Sequence, residues 1–172
     1  MDNIAIESFI THCDEIMIAE ESNINGSKKN VSIRIIEIKE NDFKKYAIQH
    51  AAVRNNYDKF KESYNGEIIV DTENDKLIGC VFVGDKKDKG FITTLWVNNK
   101  YRSKGFGTIL LKDAINKFGG YDLTVLKGNE NAIALYKKHG FVIIGYGNER
   151  NKSDYWMKLK SKLTKDDKPI DD

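Results

Sequence analysis

Residues Leu95 to Phe118, LWVNNKYRSKGFGTILLKDAINKF, pass from an apolar β-like run through a basic, glycine-containing turn into an amphipathic helix. The turn itself is Arg102-Ser103-Lys104-Gly105-Phe106-Gly107-Thr108. Its two glycines allow successive backbone N–H groups to point into one concavity. The helix that follows adds the unpaired donors of its first turn and the positive end of its dipole. Arg102 and Lys104 set full charges beside those partial ones, so the segment reads as a cradle for an anion with several oxygens, such as a pyrophosphate. The plain alternative is an ordinary strand-to-helix turn with solvated charges. Other phosphate signatures do not fit. A dinucleotide fingerprint wants a third glycine where Leu110 stands, and an acid closing the next strand, whereas Asp122 opens it. A P-loop at Gly140 and Gly145 fails because Tyr146 follows in place of Lys.

Working outward, Val31 to Ile38 (VSIRIIEI) alternates and is β-branched, which predicts a strand. Gly66 to Asp71, Lys76 to Val83 and Gly90 to Val97 are three further β-like runs between polar turns, an antiparallel meander. Between these and the first strand, Asn41 or Asp42 caps a predicted helix that runs to about Tyr64, with Asn55-Asn56 as its breaking point. After the quoted stretch come a strand at Tyr121 to Leu126 (YDLTVL), a helix, and strands at Val142 to Tyr146 and Asp154 to Leu159. Ile6, Phe9, Cys13 and Met17 lie near helical spacing and predict an extra N-terminal helix over Ile4 to Glu20, followed by a polar connector. The whole is an α/β chain with a central twisted mixed sheet flanked by helices. It divides into residues 1–30 (helix and connector), a domain over 31–162, and a flexible tail over 163–172.

At 172 residues the chain is long enough for one domain with its own core. A net charge of +2 with both signs interspersed builds no face for polyanions, so no nucleic-acid partner is implied. No apolar run approaches bilayer length, and no membrane partner is expected. Met1-Asp2-Asn3 opens no secretory pattern, which makes a cytoplasmic location the expectation. Cys13 and Cys80 form neither a CxxC pair nor a disulfide framework, and both read as small core residues. His12, His50 and His139 lack ligand spacing, so no metal is expected.

The turn Arg102-Ser103-Lys104-Gly105-Phe106-Gly107 resembles the signature of the GCN5-related N-acetyltransferase superfamily: Arg or Gln, two residues, Gly, any residue, then Gly or Ala. A second segment, Asn131-Ala132-Ile133-Ala134-Leu135-Tyr136-Lys137-Lys138-His139-Gly140-Phe141, is similar to that family's Asn, two residues, Ala, Leu-Tyr, Gly-Phe pattern. The resemblance spans roughly residues 31 to 160. It implies an acyl-CoA N-acyltransferase fold with acetyl-CoA as cosubstrate. By the same resemblance, Arg102, Ser103, Lys104, Gly105, Phe106, Gly107 and Thr108 hold the pyrophosphate. Leu95, Trp96 and Val97 run along the pantetheine arm, with the Val97 N–H polarising the acetyl carbonyl.

Tyr136 matches the tyrosine that protonates the departing thiolate, although it also fits a core stripe with Ala132, Leu135 and His139. Asn131 caps the same helix and reaches the arm, with Ala134 and Lys137 beside it. The implied partner is a primary amine, acetylated by direct transfer in a ternary complex, with Tyr46, His50, Arg54 and Tyr57 bordering its pocket. Its identity is open, because the fold does not fix the substrate. Some members carry a Glu on the fourth strand as general base, but Phe91 to Val97 holds no acid. Thr93 or Thr94 with a water, Glu67 and Asp85 are the alternatives. A reading from another class stays open: a non-catalytic acyl-CoA-binding or regulatory module whose N-terminal helix binds a partner. The chain would be a monomer, or a homodimer through that helix.

Overall fold

The computed structural model describes residues 16–18, 31–38, 40–54, 64–84, 89–147, 150 and 152–170. In chain order these form β1 (Ile16–Ile18), β2 (Val31–Glu37), α1 (Glu40–Ala47), α2 (Ala51–Arg54), β3 (Tyr64–Asp71), β4 (Lys76–Gly84) and β5 (Ile92–Val97). After them come α3 (Phe106–Asn116), β6 (Asp122–Leu126), α4 (Glu130–Lys138), β7 (Phe141–Tyr146) and β8 (Asp154–Leu159). Strands β1 to β5 lie in sequence order in one antiparallel sheet, and a second sheet runs β6-β8-β7. A parallel bridge between Phe91 and Asp122 links the two, which makes the combined sheet mixed.

Each face of the first sheet has its own core. On one, Ile33, Ile69, Val81 and Ile92 pack with Phe106, Leu110, Leu111 and Ala114 of α3 and Ile133 and Tyr136 of α4. On the other, Ile68, Val70, Cys80 and Phe82 pack with Tyr46 of α1 and Val53 of α2. This split follows from the strand period of two, which sends Ile68 and Ile69 to opposite sides. Burial pushes the Cys80 thiol up to about 12, so it stays a protonated core residue.

Three expectations need correction. The N-terminal helix expected over Ile4 to Glu20 fails at its end, because Ile16–Ile18 is a strand with Ile16 opposite Ile33 on β2. The remainder of that stretch and the connector lie outside the described residues. The helix expected from Asn41 to about Tyr64 breaks after Ala47, ahead of Asn55-Asn56, which are also outside them. Finally, residues 163–170 are tied back rather than loose. Lys158 Nζ pairs with the Asp167 carboxylate at 3.0 Å, Asp167 accepts from the Thr164 N–H and hydroxyl, and Ile170 N–H donates to Ile143 O.

Candidate active site

The two sheets meet at Phe91 and Asp122 and then part, and among the described residues no strand covers the outer edge of β5 beyond that bridge. The hydrogen-bond phase shows what this edge offers. Asn98 N–H donates to Ile78 O at 2.8 Å, which makes residues 78 and 98 a hydrogen-bonded antiparallel pair. Such pairs alternate, so the next are Cys80 with Trp96 and Phe82 with Thr94. The main-chain groups of Trp96 and Thr94 therefore turn into the sheet, whereas those of Leu95 and Val97 turn outward. Arg102 confirms the phase, because its Nε donates to the outward Val97 carbonyl at 3.1 Å. A bulge at Phe82/Val83 sharpens the twist at the start of β5.

Beyond Val97 the chain makes one 3-10 turn (Asn99–Tyr101), with the Asn98 side chain accepting from Lys100 N–H. It then enters the basic segment. Ser103 takes a left-handed φ of 61° and Gly105 one of 89°, the second at the N-cap of α3. The Gly105 carbonyl accepts from Thr108 and Ile109 N–H at 3.0 and 3.1 Å. The earlier first-turn donors face outward, because an α-helix has no intrahelical acceptors for them. Phe106 fixes the turn from below, 1% exposed and edge-on to Tyr101. Arg102 is exposed, and Lys104 Nζ lies 5.8 Å over the Tyr101 ring. A Cβ added at Gly107 would sit 3.4 Å from Leu135 Cδ2 and 3.9 Å from Val97 Cγ2. Glycine at 107 thus leaves room at the junction of β5, α3 and α4, where the pantetheine arm is expected to leave the pyrophosphate.

Helix α4 places its expected residues unevenly. Tyr136 is 7% exposed, packs 5.8 Å from the Phe141 ring, and its phenol is pushed up to about 12 by burial. Asn131, Ala134 and Lys137 lie on the exposed side of the helix. The expected capping role of Asn131 is wrong. Asn129 is the N-cap, accepting from Ala132 N–H at 3.3 Å, so Asn131 falls inside the first turn. The turn before it selects Asn129, whose N–H donates to Leu126 O and leaves its side chain at the helix mouth.

The candidate bases also separate. Asp85 and Tyr57 lie outside the described residues. Glu67 stands in register with Val81 and, through it, Leu95, which puts it on the α3 face of the sheet. There its Oε2 meets Lys117 Nζ at 3.0 Å, and the same ammonium meets Asp113 Oδ2 at 3.0 Å. Glu67 is 1% exposed, and among the described residues its Oε1 has no hydrogen-bond partner. Burial, with Asp113 adding to it, pushes this carboxyl up to about 8 against the pull of Lys117. Burial prevails because one ammonium is shared between two carboxyls.

On the opposite face, the His50 ring stacks on Trp96 with centroids 3.7 Å apart. Sequence spacing gave no signal for this pair, because helix-loop and strand are brought together only by the fold. His50 is held by its surroundings. Tyr46 OH donates to Asp75 at 2.9 Å, Gln49 Oε1 accepts from Leu77 N–H at 2.9 Å, and Gln49 Nε2 donates to Asp75 O. Burial and the Arg54 charge hold His50 below the usual histidine range.

With this geometry in place, the sequence model described as "Acetyltransferase (GNAT) family" matches residues 33–141, from β2 to the start of β7. No curated protein matches. Among solved structures, the chain is similar to the ribosomal-protein-S18-alanine N-acetyltransferase from Escherichia coli (TM-score 0.56, 21% identity, 80% of this chain and 99% of that one). It is also similar to an acetyltransferase of the GNAT family from Streptococcus pneumoniae (TM-score 0.54, 22% identity, 73% and 97%). A third is Arabidopsis thaliana Naa50, solved in complex with a bisubstrate analogue, CoA-Ac-MVNAL (TM-score 0.51, 23% identity, 74% and 97%). At such identities the likeness speaks for the fold.

Proposed function

The chain belongs to the GNAT acetyltransferase family, and from that premise we propose that it acetylates a primary amine with acetyl-CoA by direct transfer in a ternary complex. One observation carries the proposal. The main-chain edge of Leu95 and Val97 faces outward and leads, through one 3-10 turn, into a left-handed, glycine-containing turn at the N-terminus of α3. Acetyl-CoA supplies an activated thioester. Leu95 and Val97 present backbone groups to the peptide-like arm in the manner of an added strand. The turn from Arg102 to Thr108 takes the pyrophosphate, with Arg102 and Lys104 as the charged partners. The Val97 N–H is a fixed dipole beside the reacting carbonyl, worth about 2.7 to 4 kcal/mol if it acts as a single oxyanion donor does.

Tyr136 serves the departing sulfur as a hydrogen-bond donor. Burial pushes its phenol up to about 12, so the hydroxyl stays protonated at neutral pH and is available to donate to the sulfur.

The test is calorimetric titration with acetyl-CoA followed by turnover of Tyr136→Phe. Saturable binding with kcat lowered about a hundredfold and affinity unchanged supports the enzyme. Binding with no turnover, and no effect of the substitution, supports the regulatory module instead.

A further inference from the structure

Resting on the acetyltransferase reading, we infer that His50 is the group that takes the proton from the acceptor ammonium, on a platform formed by Trp96. Donor and acceptor must reach the carbonyl from different directions. The donor side is occupied: the cradle, Gly107 and Tyr136 all belong to the α3 and α4 face of β5, where Leu95 and Val97 also pack. Approach is left to the opposite face, that of α1 and α2, and there Trp96 is the β5 side chain adjacent to Val97. The His50 ring lies flat on that indole at 3.7 Å, half-buried, so one aromatic surface joins the imidazole to the strand residue next to the polarising N–H. The loop bearing it is pinned to the β3–β4 turn by Tyr46 and Gln49, which gives the ring a fixed position. Among the described residues Arg54 on α2 is a charged neighbour, and both burial and its charge favour the neutral imidazole. A neutral imidazole is what a base needs at neutral pH.

The step balances. One ammonium proton moves to His50, and the freed lone pair forms the N–C bond while the C–S bond breaks. The nitrogen's surplus proton ends on sulfur, and His50 releases its own to water. Glu67, the carboxyl nearest in register, lies on the other face with Lys117 and does not compete.

His50→Phe keeps the stack on Trp96 and cannot accept a proton; His50→Gln keeps polarity and loses the stack. Both are compared with wild type in coenzyme A release with spermidine, an Ala-initiated peptide and a lysine peptide, from about pH 5.5 to 9, beside acetyl-CoA calorimetry. Both variants are expected to lose about a hundredfold or more in kcat/KM at neutral pH. The deficit should narrow as pH rises and free amine accumulates, with acetyl-CoA affinity unchanged. The wild-type acid limb should fall below the ordinary histidine value of 6.5. A loss of less than about threefold by His50→Phe at every pH overturns the assignment. If wild type binds acetyl-CoA but acetylates none of these probes, the imidazole NMR signals decide. Signals of His50 that shift on binding sustain the assignment, and signals that do not move overturn it. Absence of acetyl-CoA binding overturns the acetyltransferase reading itself, and His50 with it.

Discussion

The two ends of α3 handle charge in opposite ways. At its start, Gly105, Phe106 and Gly107 turn backbone donors outward beside exposed Arg102. At its end, the Asp113 carboxyl (7% exposed) and the Glu67 carboxyl from β3 (1% exposed) share the exposed Lys117 ammonium, so the chain supplies its own partners there. The first arrangement suits an external anion, because positive character reaches the surface. The second is the fold's own, and its energetics are those of burial rather than of binding. Charge alone is therefore a poor marker of a site. What distinguishes the ends is whether the countercharge is already supplied by the chain.

Changes at the two ends should separate binding from stability. The largest effect is expected from Gly107→Glu, which places a carboxylate in the cradle. Its Cβ meets Leu135 and Val97 only at ordinary contact distance, so the melting midpoint should stay within about 2 °C of wild type. Repulsion of the pyrophosphate should weaken acetyl-CoA by about a hundredfold or more in calorimetry. Retained affinity would move the pyrophosphate away from this end. Gly105→Ala should act on both properties. A left-handed φ of 89° costs a side chain roughly 1 to 2 kcal/mol, which corresponds to a midpoint lowered by about 2 to 8 °C, with affinity down about tenfold. No change in either quantity would mean that the turn relaxes freely. Arg102→Gln keeps a side-chain donor for the Val97 carbonyl but removes the charge. Affinity should fall roughly tenfold at low salt, by less at high salt.

The donor end of α3 was legible because its information is local: Gly105, Gly107 and the apolar stripe of α3 lie within a few residues of one another. The meander was legible for the same reason, since strand alternation and turn residues are neighbours in sequence. What escaped depends on distant partners. Met17 carried a helical spacing with Cys13 and Phe9, yet Ile16 to Ile18 pair with the edge of β2. Asn131 read as the cap in sequence, whereas the turn closed by Asn129 N–H on Leu126 O puts the cap two residues earlier. The tail composition suggested disorder, but Asp167 finds Lys158 across the second sheet. Glu67 stood out as a carboxylate on a neighbouring strand, and only the register shows that it faces α3 rather than Trp96. His50 was named as a histidine without ligand spacing and as one of four residues bordering a pocket; its stack on Trp96 is a product of tertiary packing.

The smallest effect belongs to the far end of α3, and its sign is informative. Burial and Asp113 put the Glu67 carboxyl at about 8, above its ordinary 4.5. Between those values the folded chain holds a proton that the unfolded chain has lost, so stability should decline as pH rises through that window and level off above it. Glu67→Gln imitates the protonated form: its carbonyl accepts from Lys117, and its amide can donate toward Asp113. The variant should therefore match wild type near the lower edge and overtake it near the upper one, where its melting midpoint should lie above that of wild type. Acetyl-CoA affinity should not change, because this end of the helix faces no ligand. Thermal melts across the window give the answer. If wild-type stability rises with pH instead, the carboxylate is ionised in the folded protein and Lys117 outweighs burial. The far end of α3 would then hold two carboxylates against one ammonium, and the contrast with the donor end would rest on ion pairing within the chain rather than on a protonated carboxyl.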